Sequence, residues 1–389
     1  MDGLIRVFTN TQRGAPQLSG TAGTLLGVLR ACLVDGYGAV AATAATVSGG
    51  IATIALPQGS SFDAGAIVRI SGATPAALNG DARVISASST QITVATTAPD
   101  GAASGAITVK MAPADWQEKF AGTVGNVGVF APTVPEATGM LLRVDDTGAT
   151  NARVRAWETM TDANTGQGPI PLDSQVSGGL WWGKSYQANS TGRPWWLIAD
   201  ARGFYLAVDP YSGGRFTIFY AGDIIGYAPA WDYLISGNTS DQTSSSGWQE
   251  GCCGYSYRGT SNNPFYLARL HTGMGGSVQA VRVGSHNNGT TTAYCGSSGY
   301  GIGTYPNAAN NGLITGVLEV YVNNVLRGTL PGLLHPVQDC NGSGIATGAI
   351  VKCTDDLAGR SLLALRPGAP APGGTFGLAL FDITGPWGR

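Results

Sequence analysis

Residues 49–57, GGIATIALP, and residues 91–97, QITVATT, place apolar side chains at alternate positions with small or hydroxylated residues between them. Successive side chains leave a strand on opposite faces, so a period of two marks a half-buried β-strand. The alternation recurs in AIVRISGA (66–73), ARVISASS (82–89) and GAITVKM (105–111), and Pro57, Asn79-Gly80 and Asp100-Gly101 punctuate the runs. Those residue types suit tight turns, through a preset φ or tolerance of left-handed backbone. Residues 43–111 are therefore expected to form a small inserted all-β domain. Its two ends must lie close together, because the chain leaves a larger body and returns to it.

Residues 1–42 are read as the N-terminal part of that body, with a helix over 19–34. In SGTAGTLLGVLRACLVDG (19–36), Ser19 is a candidate cap and Leu25, Leu26, Val28, Leu29, Cys32 and Leu33 share one helical face before Gly36 stops the run. A second short helix is expected in PADWQEKF (113–120), with Trp116 and Phe120 on one side. Residues 112–389 complete the main body through strand-like runs such as MLLRVDD, ARVRAWETM, PWWLIAD, GFYLAVD, RFTIFYAGDIIGY and WDYLI. Long Gly/Ser/Asn loops are expected over 236–311, holding the strands NPFYLARL and SVQAVRV; loops of that length in a compact protein usually carry function or contacts. The fold class that follows is mainly β: a β-sandwich or barrel-like main body with one or two short helices, plus the inserted domain.

Composition points the same way. Glycine accounts for 59 of 389 residues and charged residues for only 12%, which favours short strands and tight turns over solvated helices. A net charge of −2 with no block of like charge gives no footprint for nucleic acid or an anionic membrane. No apolar run is long enough for membrane insertion, and the N-terminus lacks the basic start and apolar core of a secretion signal, so synthesis in a cytoplasm is expected.

The octapeptide GGLWWGKS (178–185) has the Gly178, Gly183, Lys184, Ser185 spacing of a phosphate-cradling loop. Such a loop needs a buried strand before it and a helix after it. Here PLDSQVS precedes and YQANSTGRPWW follows, so the match is read as incidental, with Lys184 an exposed strand residue and no cofactor implied. The three histidines, His271, His286 and His335, fall in no metal-binding or nucleophile motif. Asp145, Asp146, Glu158 and Asp200 are the carboxylates a glycan-cleaving enzyme would use. Adjacent strand residues diverge, however, so Asp145 and Asp146 are read as turn-capping groups, with a calcium contact as the sharper alternative. The expectation is a protein that is not an enzyme and holds no metal.

Nine tryptophans include the pairs Trp181-Trp182 and Trp195-Trp196. A strand would bury one ring of each pair and turn the other outward, toward a subunit interface or a glycan; Trp248 is a further candidate contact. Of six cysteines, Cys32 belongs to the helix face, while Cys252, Cys253, Cys295, Cys340 and Cys353 lie in the C-terminal half. Disulfides among these five, free buried thiols and a metal site all remain open.

Several stretches together resemble a group of virion tail proteins of tailed bacteriophages: LRACLVDGYG, SGATPAALNG, DWQEKFAG, ATGMLLRVDDTGATNARVRAWETMTDANTGQGP, WWGKSYQANSTGRPWWLIADARGFYL, RGTLPGLLHP and FDITGPW, in order along most of the chain. The resemblance implies a structural component of the tail-tip or baseplate region, made in the host cytoplasm and located in the virion, whose partners are copies of itself and other tail proteins. Host attachment through a surface glycan is the alternative, and a glycan depolymerase is a more distant one. The five C-terminal cysteines depart from the group's pattern and suggest a disulfide-reinforced particle.

Overall fold

Strand GFYLAV (203–208) shows why so much of this chain is extended: Phe204, Leu206 and Val208 enter one apolar cluster, and Tyr205 and Ala207 enter another on the opposite face. A strand covered on both sides reads as a continuous apolar run, where a strand with one wet face reads as an alternation. The computed structural model describes residues 3–123, 125–241, 265–284, 304–338, 340, 344–368 and 377–388. Among these the protein is mainly β, built from antiparallel sheets with one α-helix. Among the described residues no helix is long and apolar enough to cross a membrane.

An eight-stranded sheet lies wholly within residues 37–111, in the spatial order Tyr37–Ala41, Thr108–Met111, Ile67–Ser71, Gly80–Ala87, Gln91–Ala95, Ile51–Ala55, Ala44–Ser48 and Gly101–Ala102. Its first and last long strands pair, Ala41 opposite Thr108 and Tyr37 opposite Met111, so the chain enters and leaves side by side. The runs expected as strands at 49–57, 66–73, 82–89, 91–97 and 105–111 each overlap one, at Ile51–Ala55, Ile67–Ser71, Gly80–Ala87, Gln91–Ala95 and Thr108–Met111.

A six-stranded sheet follows, running Trp116–Ala121, Val127–Pro132, Leu141–Asp145, Asn151–Met160 and Gly166–Ile170, with Leu180–Gly183 also paired to Asn151–Val154. Its first strand corrects the helix expected over 113–120. Positions four apart share a face in a helix, but an even separation also shares a face in a strand, so Trp116 and Phe120 did not discriminate between the two. Pairing with Val127–Pro132 decides the matter, and a bulge between Glu118 and Phe120 sends the two rings into different apolar clusters.

The largest sheet has thirteen described strands, starting with Arg6–Thr9 against Trp195–Ala199 and ending with Ala379–Asp382, Ser361–Leu365 and Ile350–Lys352. Strands Phe265–Leu267 and Val278–Gly284 continue it, at the two runs, NPFYLARL and SVQAVRV, expected as strands within 236–311, and much of the rest of that region falls outside the described residues. The one α-helix among the described residues, α1, spans Thr24–Leu29 and runs on as a π-helical stretch, Arg30–Asp35. Its predicted apolar face is buried throughout. Ser19 is not its cap: the N-cap position is Gly23, at φ 81°, and no local side chain serves there.

Candidate functional site

The cap of α1 comes from Asp146, and the Gly-Lys-Ser locus supplies its counter-charge. Asp146 Oδ2 accepts the backbone N–H groups of Leu25 at 2.8 Å and Leu26 at 3.2 Å, across 121 and 120 residues of chain. Its other oxygen meets the Lys184 ammonium, which also donates to the Thr21 carbonyl at 2.8 Å. Both side chains are fully buried. Burial pushes the Asp146 carboxyl up and the Lys184 amine down, and their mutual attraction opposes both shifts. Lys184 is therefore not the exposed strand residue expected: strand Leu180–Gly183 delivers it beneath a helix terminus whose anionic cap requires a counter-charge. The place where a phosphate would sit at such a terminus is taken by the protein's own carboxylate.

The other predicted carboxylates serve separate structural partners. Asp145 accepts from the Thr147 backbone and hydroxyl and, at 3.3 Å, from Arg143. Glu158 holds Arg269 through two bonds of 2.6 Å, and that guanidinium lies 4.3 Å over Trp231. Asp200 closes its own turn, accepting the N–H groups of Arg202 and Gly203. The described residues contain no group of three or more histidine, cysteine or acidic side chains placed to hold a metal.

Trp182 and Trp195 are fully buried, while Trp181 and Trp196 are half-buried. Trp182 stacks on Phe219 and donates to the Ser236 carbonyl at 2.7 Å. Arg153 covers Trp181 at 3.9 Å. Cys32 is buried, which pushes its thiol up. Cys353 is a half-buried free thiol and so is not bonded to Cys340, which is fully buried in the same apolar cluster. Trp248, Cys252, Cys253, Cys295 and His286 lie outside the described residues.

Two features were missed in the sequence. The first is a charge cluster joining the insert to the body: Arg6 Nη2 lies 2.6 Å from Asp81 and 2.9 Å from Asp115, and Arg69 lies 2.6 Å from each of the same two carboxylates. Asp115, at φ 61°, adopts the left-handed backbone that aspartate tolerates better than most residues. The second is a cavity of about 390 Å³ lined by Tyr227, Leu270, His271, Val322, Val325 and Arg327, among others. Asn323 and Asn324, both at positive φ, close the two-residue hairpin turn at its edge. Gly328 lets Ile225–Gly226 pair beside this hairpin, since a Cβ there would lie 2.3 Å from the Ile225 carbonyl oxygen. The Asn-Asn pair between apolar alternations was a readable signal for the hairpin; the far wall of the cavity had none.

Compared with known protein families, the chain matches none, and comparison with curated proteins gives no match.

Proposed function

We propose that this chain is a structural component of a bacteriophage tail, in the baseplate or tail-tip region, assembling through contacts between subunits. The observation that carries the reading is where its ionisable groups go. Asp146 and Lys184 tie a helix to a sheet edge, Arg6, Arg69, Asp81 and Asp115 tie the insert to the body, and Glu158 ties the six-stranded sheet to the Arg269 segment. Charges committed to joining layers give a stiff frame, which is what a part that transmits load between neighbours requires. The sequence resemblance to tail proteins supplies the particle. Large apolar side chains on the surface, including Ile85 at 53% exposure and Met274 at 70%, offer contact points for neighbours.

The test is fractionation of intact particles with antibody detection, followed by reconstruction of the tail by electron microscopy. The chain is expected in purified particles at a stoichiometry set by the tail's symmetry. A chain that accumulates in infected cells and is absent from finished particles overturns the proposal.

A further inference from the structure

Asp146 and Lys184 are the acid and the amine of an amide, held in contact where water does not reach: neither side chain has any exposure. Strand register brings them together. Asp146 follows Leu141–Asp145 and Lys184 follows Leu180–Gly183, and both strands pair with Arg153 and Val154 of Asn151–Met160, one on each side. Asp146 Oδ2 is fixed by the N–H groups of Leu25 and Leu26, at 2.8 and 3.2 Å, which leaves Oδ1 to the amine. The Thr21 carbonyl accepts from the same amine at 2.8 Å. Two other buried pairs, Arg202 with Asp223 and Arg327 with Asp232, use a guanidinium, which does not deprotonate and so is no nucleophile.

We propose that Asp146 and Lys184 condense to an intramolecular amide, so that the folded chain carries a covalent bond between the two side chains. The step starts from the neutral pair, a carboxylic acid with its proton on Oδ1 and a free amine, and burial favours both neutral forms. Nζ attacks Cγ, and the negative charge that develops on Oδ2 falls on the Leu25 and Leu26 N–H groups, the kind of donor pair that stabilises acyl transfer. One Nζ hydrogen passes to Oδ1, the Cγ–Oδ1 bond breaks and water leaves. The Nζ–Cγ bond takes its place, and the remaining hydrogen stays on the amide nitrogen, beside the Thr21 carbonyl. No oxidant, cofactor or second molecule enters. Two groups held in contact react as one molecule, and exclusion of water withholds the reagent of the reverse step. The product clasps together the two strands that flank Asn151–Met160. The inference concerns the covalent state of the chain and does not depend on its place in a particle.

Mass spectrometry of the full chain, folded, then reduced and denatured, tests it. The intact mass is expected to fall below the sequence mass by one water. Trypsin, which does not cut after an acylated lysine, should release residues 144–153 joined to the segment that holds Lys184. Lys184→Arg keeps the positive charge and cannot condense, so that variant should show its full sequence mass and an unjoined 144–153 peptide. A wild-type chain at full sequence mass overturns the proposal. So does a missing water that maps elsewhere, such as a succinimide at Asp100-Gly101, with residues 144–153 recovered unjoined. Both deciding measurements are made on the wild-type chain, so a variant that fails to fold does not change the outcome.

Discussion

Lys184 is the residue at which motif and environment part company. The spacing around it suits a phosphate, and its ammonium does meet an anion at a helix N-terminus, but the anion is Asp146. Removing one member of a buried pair strands the other, which typically costs about 3–5 kcal/mol, whereas replacing both members is far milder. Lys184→Met is therefore expected to lower stability by about that amount, and Lys184→Met combined with Asp146→Asn to recover a substantial part of it; denaturant unfolding of the three variants measures both. Magnesium-ATP should leave the wild-type midpoint unchanged in the same assay, because the amine is already engaged. A second residue-scale case is Gly332, at φ 66°, where an added Cβ would lie 2.0 Å from the indole nitrogen of Trp387. Gly332→Ala should displace that buried ring from beside Tyr205 and cost about 1–3 kcal/mol, read as a fall in the thermal midpoint with loss of near-ultraviolet dichroism.

Between elements, the informative contact is the cluster of Arg6, Arg69, Asp81 and Asp115. It fastens the first strand of the large sheet and the chain leaving the insert to two neighbouring strands of the insert. Burial alone would raise the Asp81 carboxyl, but hydrogen bonds from Arg69 and Arg6 outweigh it and hold the group below the usual carboxylate range. A carboxylate depressed in the folded state contributes stability that is present above its unfolded value of about 3.9 and is lost as pH falls toward the folded value. The stability gap between wild type and Asp81→Asn should therefore be fully open near neutral pH and close progressively below about pH 4. A gap that stays constant into acid would show that the ionised carboxylate contributes nothing. Element identity was uneven in its legibility. The insert's strands could be read because each presents one wet face, while Trp116–Ala121 could not, because two aromatic residues four apart satisfy helix and strand alike.

At the scale of the whole molecule, one apolar cluster runs from Phe8 and the buried face of α1 through Val47, Ile54 and Ile92 of the insert to Trp182 and Phe204. The insert is thus continuous with the body in its packing as well as in its charge cluster, and the two are expected to unfold together. Scanning calorimetry should give a single transition with equal calorimetric and van't Hoff enthalpies; two separable transitions would show that the insert melts alone. The sequence by itself determined that this is a β-protein, because the alternation of side chains along a strand is a local steric property that any short window displays. It also located the one helical face and the turn residues between the insert's strands. Only the tertiary structure decided which charges meet and which surfaces enclose the Arg327 cavity, since Lys184 lies 38 residues from Asp146 and Arg6 lies 75 from Asp81. A charged side chain looks the same in sequence whether water or a buried partner solvates it, and the choice is made when distant strands close around it.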